Sequence, residues 1–459
     1  MLVSAVKLTA SYDWRVGRFV RPARLSFWLL SSLALTALSA PAASALAQAE
    51  QRSVGESVED FYAGRNGEPL WLDRNGNNAA AAQSLFDLIR TARIDGLDPE
   101  SYAPRELDRA LRAAWSSNPG TIRRADRLLS EMFVAYARDL QRPPAVDMIW
   151  VDPELKSAVG TPRQLLEAAA AAPSLERFVS GIAWMNPIYA GLRQALVGGA
   201  LTGPAEHDLL RLNLERARAL PAGPGKAVIV NATAAELVMV EDGQIVDTMR
   251  VVVGKPVHPT PMMAALIRFT SLNPYWNVPA DLAAERIAPN VVKGGAPYLR
   301  RKGYQLLSGW NDDATIVDPA TIDWTAVAAR KIDVRVRQLP GPENAMGRMK
   351  FMFPNAQGIY LHDTPERKLL DEESRMFSGG CVRLEDAPRL ARWLYGGTEP
   401  STMSDDPEQR VDLPRPVPVF LTYLTAVPAG GTIMYLADVY NRDPAALAML
   451  DGVSRVASR

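Results

Sequence analysis

Apolar residues recur at helical spacing from Val54 to about Leu220. Over residues 79–92, Leu85, Leu88 and Ile89 share one face, and Asp95-Gly96 follows as a stop. Leu128, Met132, Ala135 and Tyr136 repeat the pattern over 128–140, ended by Pro143-Pro144, and 209–220 is a third case. The run Pro221-Ala222-Gly223-Pro224-Gly225 then breaks the chain and marks the best internal boundary.

Beyond it the period shortens to that of strands. Residues 227–231 are β-branched and apolar, and 236–240 and 244–253 flank Asp242-Gly243, a two-residue hairpin signal. Residues 280–345 mix a short helical stretch near 281–287 with many turn residues and read as an insertion. Strands resume at 348–353 and 358–362. A helix is predicted from Asp386 as N-cap to Tyr395, ending at Gly396-Gly397. Residues 417–424 and 432–439 read as closing strands, with 401–410 a polar loop. The predicted class is α+β: a helical scaffold over 53–222, a mainly β domain over 223–428 with an inserted lid at about 280–345, and a closing strand and tail over 429–459.

The N-terminus changes the picture of where this fold resides. Arg15, Arg18, Arg21 and Arg24 precede an uncharged run from Leu25 to Ala47, and Ala45-Leu46-Ala47 fits a small-x-small cleavage pattern. Residues 1–47 therefore read as a signal peptide or a retained signal anchor. Either form exports the remainder to the periplasm or cell envelope, with the inner membrane a partner only if the segment is kept.

Charge and composition narrow the chemistry. Lys and Arg number 51, as do Asp and Glu. That balance offers no basic excess for nucleic acid. Cys381 is the only cysteine, so no internal disulfide forms, and the three histidines make no zinc pattern with it. His207 opens a helical run and His258 lies in a Pro-rich turn; both read as structural or solvent-facing.

The segment from Ile359 to Leu384 is different. A catalytic cysteine needs a base, an oxyanion site and access. In an extended 359–362, Tyr360 and His362 share one face, and His362 ends at the turn Asp363-Thr364-Pro365. Gly379-Gly380 permits a sharp bend beside Cys381, with backbone N–H groups available to an oxyanion. If 381–383 is extended, Cys381 and Arg383 share a face, and a guanidinium there suits a substrate carrying carboxylates. A lone cysteine is more often an inert core residue, but this one sits in a glycine turn with a histidine nineteen positions upstream.

The run His362-x15-Ser378-Gly379-Gly380-Cys381-Val382-Arg383 resembles the signature of the L,D-transpeptidases of YkuD type. Phe61-Tyr62, Pro69-Leu70-Trp71, Asp95-Gly96-Leu97, Leu214-Glu215-Arg216 and Leu272-Asn273-Pro274-Tyr275-Trp276-Asn277-Val278-Pro279 are similar to the large YcbB-like branch. The resemblance implies Cys381 as nucleophile and His362 as base, with Ser378, Gly380 and Arg383 matching other positions of the signature. Tyr360, Ser378 and Arg383 are the expected substrate contacts. It also implies peptidoglycan stem peptides as donor and acceptor, loss of a terminal D-alanine, acylation by carbapenems, and no metal or organic cofactor; an L,D-carboxypeptidase with water as acceptor and a non-catalytic wall-binding protein are the alternatives. Many members carry a second histidine where this chain has Gly379, and no inserted wall-binding module fits between Leu196 and Leu209.

Overall fold

The computed structural model describes residues 40–72, 79–114, 118–156, 159–198, 203–430 and 432–457, with side chains described from 52 to 450. The expected export segment lies, up to residue 39, outside the described residues. The chain divides into two compact units, 1–51 and 52–459, and all that follows concerns the second. Among the described residues no helix is long and apolar enough to cross a membrane.

The first half is helical as expected. Helix α1 (Ala79–Arg90) buries Leu85, Leu88 and Ile89. Helix α2 (Pro119–Leu140) starts nine residues before the clear periodicity, because Asn118 caps it through Gly120 N at 2.8 Å and Pro119 occupies the first turn. Its buried stripe runs through Leu129, Met132, Phe133, Tyr136 and Leu140, leaving Leu128 only partly covered. Helices α3 (Pro187–Val197) and α4 (Pro204–Arg218) also open on proline.

Two buried carboxylates organise this core. Asp95 accepts hydrogen bonds from Tyr136 Oη at 2.7 Å, Tyr189 Oη at 2.8 Å and Arg193 Nε at 2.9 Å. Asp126 accepts the N–H groups of Leu70, Trp71 and Leu72 at 2.7–2.9 Å and the Tyr62 hydroxyl. A carboxylate out of water is tolerable only when its acceptor capacity is filled. The short motifs Phe61-Tyr62, Pro69-Leu70-Trp71 and Asp95-Gly96-Leu97 are thus pieces of the scaffold's polar skeleton.

The second half is built on a 10-stranded sheet. Its strands are β1 (Lys226–Asn231), β2 (Glu236–Glu241), β3 (Gln244–Gly254), β4 (Met263–Leu272), β5 (Met349–Met352), β6 (Leu361–His362), β7 (Met376–Ser378), β8 (Val382–Leu384) and β9 (Gln409–Thr422), with Ile149–Trp150 added beside β4. Pairing runs β4-β9-β1-β2-β3-β8-β6-β5 and returns to β4, so the path closes on itself; β7 pairs with β3. The β2–β3 turn is Asp242-Gly243 at φ 51° and 75°, the left-handed pair that a two-residue hairpin demands. The helix Ala387–Leu394 begins at Asp386, whose carboxylate accepts Arg389 N at 2.9 Å.

Residues 273–345 form a subdomain with its own core. Strands Trp276–Val278, Tyr304–Leu307 and Arg335–Gln338 make a 3-stranded sheet, backed by Val278, Ile287, Val291, Leu299, Trp324 and Val336. Trp276, Tyr298 and Tyr304 pack against that core, whereas Trp310 is half exposed.

One expected strand is corrected. Thr432–Tyr435 does not close the catalytic sheet; it pairs with Ala426–Ala429 in a separate hairpin. Ala426 joins the scaffold core, and Pro428 lies so close to Gly191 of α3 that a Cβ there would come within 2.8 Å of it. Apolar docking on the helices, invisible to strand periodicity, redirects this segment. A buried polar cluster joins the halves beside it: Arg216 of α4 pairs with Asp443 at 2.7 Å, Asp443 accepts from Thr425 Oγ1 at 2.8 Å, and Thr425 N donates to Asn213 of α4 at 2.8 Å.

Removing the carboxylate of Asp95 strands Arg193 and two tyrosines in the core. Asp95→Ala should cost about 3–5 kcal/mol, the usual penalty for breaking a buried pair from one side. Denaturant unfolding of both proteins checks it; a loss below about 1 kcal/mol would show that the network carries little stability.

Candidate active site

Strands β6 and β8 lie side by side and parallel, with Leu361 opposite Val382 and His362 opposite Arg383. Val382 N donates to Tyr360 O at 2.9 Å, so the register extends back to Tyr360 and Cys381. Side chains of a strand alternate, and those of adjacent paired residues point the same way. Leu361, Val382 and Leu384 therefore point into the sheet core, where all are fully buried. Tyr360, His362, Cys381 and Arg383 project together from the other face.

The turn before Cys381 is locked from within. Ser378 Oγ accepts Gly380 N–H at 3.0 Å and donates to Cys381 O at 2.6 Å. Ser378 is 2% exposed. Its hydroxyl and the Gly380 N–H are both engaged inside the turn. Among the described residues no backbone partner is found for the Cys381 N–H. Gly380 adopts φ 117°, and a Cβ there would press on Ile359 at 3.1 Å, so glycine is required.

A second layer holds this turn. Buried Thr260 donates through Oγ1 to Gly380 O at 2.8 Å and accepts Gly254 N–H at 2.9 Å. Tyr440 Oη donates to Gly254 O at 2.6 Å, and Arg442 donates to Thr260 O at 3.0 Å while lying over the rings of Tyr423 and Tyr440. Sequence reasoning missed Thr260, Tyr440 and Arg442, which carry no motif and act from distant parts of the chain.

His362 is almost fully buried, and its Nδ1 lies 2.6 Å from Asp363 O. A proton on Nδ1 donated to that carbonyl leaves Nε2 free to accept one. Burial, then the adjacent Arg383 charge, pulls the imidazole down to about 3. Cys381 is partly exposed, and its thiol donates to Gly358 O at 3.5 Å. Burial pushes the thiol up; the Tyr360 N–H and the Arg383 guanidinium oppose this without overcoming it. Burial thus acts on both groups in the same sense, pulling the imidazole down and the thiol up, toward their neutral forms. Arg383 is 7% exposed and paired with Glu366, so its guanidinium is already engaged by the protein.

The 273–345 subdomain sits against this turn. A Cβ on Gly379 would meet Leu282 at 3.4 Å. That is ordinary packing distance, so Leu282 lies directly beside the position where many relatives carry a second histidine. Lys255 pairs with Glu285 at 2.7 Å, His258 with Asp281 at 3.8 Å, and Arg286 donates to Phe377 O at 3.3 Å. The contacting residues belong to a helical stretch, 280–294, whose middle, Ala283–Ile287, is π-helical, a distortion frequent at functional sites. A cavity of about 680 Å3 opens beside the residue after His362, bordered by Asn273, Arg348, Asp363, Thr364, Pro365 and Arg367.

A thiol and an imidazole on one sheet face are the groups that cysteine acyl transfer uses. Comparison with known proteins agrees with that class. Residues 56–196 match a family described as Scaffold domain, and residues 225–419 match the L,D-transpeptidase catalytic domain of YkuD type. The chain is 30% identical over 395 residues to a Haemophilus influenzae protein named "Putative L,D-transpeptidase", covering 83% of this chain and 77% of the other. It therefore belongs to the L,D-transpeptidases, in their YcbB-like branch, a family of peptidoglycan cross-linking enzymes of the cell envelope. Solved structures with weaker likeness include an L,D-transpeptidase from Mycobacterium smegmatis, 17% identical, and L,D-transpeptidase 3 from Mycobacterium tuberculosis with a faropenem-derived adduct, 15% identical. Both have a TM-score of 0.21, and each match covers 44% of this chain. The chain spans about three-fifths of the length of these two proteins, 60% and 61%.

The imidazole gives a pH signature with a fixed sign. Its folded value of about 3 lies below the ordinary 6.5, so between these limits the unfolded chain binds more protons. Stability contributed by neutral His362 is complete above pH 6.5 and is lost as pH falls toward 3, amounting to about 4–5 kcal/mol. Denaturant unfolding across this range should show the slope in the wild type and a smaller one in His362→Gln; equal slopes would place the imidazole in water. Alkylation of Cys381 by iodoacetamide should rise through a midpoint above that of a free cysteine, without an inflection near 6.5.

Proposed function

We propose that the protein forms peptide cross-links in peptidoglycan through an acyl-enzyme on Cys381. The single observation that supports this best is the shared face of Tyr360, His362, Cys381 and Arg383, set by the β6–β8 register. His362 Nε2 accepts the thiol proton as sulfur attacks the carbonyl carbon of the third donor residue, a diamino acid. The carbonyl oxygen gains charge and is met by the Cys381 N–H. The C–N bond to the terminal D-alanine breaks, and His362 returns the proton to that departing amine. A thioester remains. The amine of a second stem attacks it, gives a proton to His362, forms the new amide, and sulfur recovers the proton.

The Nδ1 contact with Asp363 O leaves His362 Nε2 for both proton transfers. The lid, with Leu282 beside Gly379, limits water at the thioester. This favours an amine acceptor over water, hence transpeptidation over L,D-carboxypeptidase activity. Peptidoglycan stems are the partners, the periplasm is the site of action, and no metal or organic cofactor enters the steps. Carbapenems would acylate the same thiol.

Purified protein incubated with disaccharide-tetrapeptides should yield cross-linked dimers with release of D-alanine, read by mass spectrometry. Tripeptide monomers alone, at every acceptor concentration, would make the protein a carboxypeptidase. Cys381→Ala should abolish the products, and His362→Ala should slow them about 10²- to 10⁴-fold. Removing the 280–294 contacts by Lys255→Ala with Glu285→Ala should shift products toward tripeptide; an unchanged ratio would free the lid of any part in excluding water.

A further inference from the structure

We infer that Glu366 is a resident stand-in for a substrate carboxylate: it occupies the Arg383 guanidinium in the free enzyme and yields it when the donor binds. This rests on the acyl-transfer reading of the Cys381 face. Three observations carry it. Arg383 lies in register beside His362, on the face that carries Cys381, and only 7% of it reaches solvent. Its ion-pair partner is the Glu366 carboxylate, whose side chain is 56% exposed. The two partners are therefore unequal: the cation is fixed in the site wall, while the anion reaches in from solvent.

The backbone around Glu366 explains why it can leave. It follows the turn Asp363-Thr364-Pro365, its N–H donates to Thr364 Oγ1 at 3.2 Å, and the helical turn Arg367–Leu370 begins after it. The chain is thus anchored by its backbone and by buried Thr364 and Leu370, not by the carboxylate. Rotation of this side chain breaks one ion pair and disturbs no packing. A buried guanidinium without an anion is costly, so an empty site needs a carboxylate from the protein. The bidentate fork of arginine accepts a peptide carboxylate equally well. Exchange of one carboxylate for another keeps the charge beside His362 constant. A neutral ligand does not offer that exchange, and Glu366 would then stay in place.

Such competition lowers apparent affinity by the fraction of enzyme whose guanidinium is free. It selects donors with a free carboxylate at the right reach. That carboxylate is either the one on the side chain of the third residue or the terminal one of the tetrapeptide.

The test compares an anionic and a neutral probe on the same thiol. Cys381 is alkylated with iodoacetate and with iodoacetamide, and the ratio of the two rates is taken. In Glu366→Gln the ratio should rise about two- to fivefold, the range of a partly exposed ion pair. Glu366→Asp keeps the charge but withdraws it from the guanidinium, and it should raise the ratio too. A ratio raised in Gln but not in Asp would reduce the effect to bulk charge and overturn the inference, as would unchanged ratios or no labelling of the folded protein by either reagent. With tetrapeptide donors, Glu366→Gln should lower KM by a similar factor at nearly constant kcat. Donors amidated at the third-residue side chain or at the terminus should lose this gain at whichever carboxylate meets Arg383. An unchanged or raised KM with both acids free would overturn it. Wild-type protein that shows the alkylation behaviour but releases no D-alanine would sink the cross-linking reading while leaving the carboxylate exchange standing.

Discussion

Leu361–His362 and Val382–Arg383 run parallel in register, and that pairing decides which side chains can meet. A slip of one residue on either strand would turn its functional side chains into the core and its aliphatic ones outward. The register is held by the fully buried Leu361, Val382 and Leu384 on the core side, so the apolar core and the reactive face are two sides of one constraint. Nothing on the reactive face needs to stabilise it, which leaves that face free to bury an imidazole and a guanidinium at a cost.

The turn that delivers Cys381 depends on the same economy of support. Ser378 fixes it from inside; Thr260 fixes it from behind. Thr260 is in turn held by Arg442, and Asp443 next to it is paired with Arg216 of the scaffold. A continuous set of hydrogen bonds thus runs from the catalytic turn through the C-terminal segment to α4. The scaffold has a physical reason to accompany this catalytic domain: it supplies the anchoring end of that chain and the apolar surface on which the 426–435 hairpin docks.

Electrostatics follow from burial. His362 has lost water and has a cation for a neighbour, which pulls its imidazole down, and burial pushes the Cys381 thiol up. The lid and Glu366 act on the same site: one covers the turn, the other fills the anion position while the site is empty.

Much of this was legible in the residues. The helical and strand periods placed the α1, α2 and α4 helices, the β2–β3 hairpin and the break near residue 222. Alternation alone put Tyr360 with His362 and Cys381 with Arg383, because strand geometry is local. The glycine turn and the lone cysteine pointed to acyl transfer. What only the tertiary structure decided involves partners far apart in sequence: that the two strands are parallel and adjacent, that Thr260, Tyr440 and Arg442 hold the turn, that Leu282 takes the space above Gly379, and that Glu366 fills Arg383. The same holds for the protonation of the site. Burial pulls the His362 imidazole down and pushes the Cys381 thiol up, because desolvation depends on everything that packs around a group and not on its neighbours in the chain.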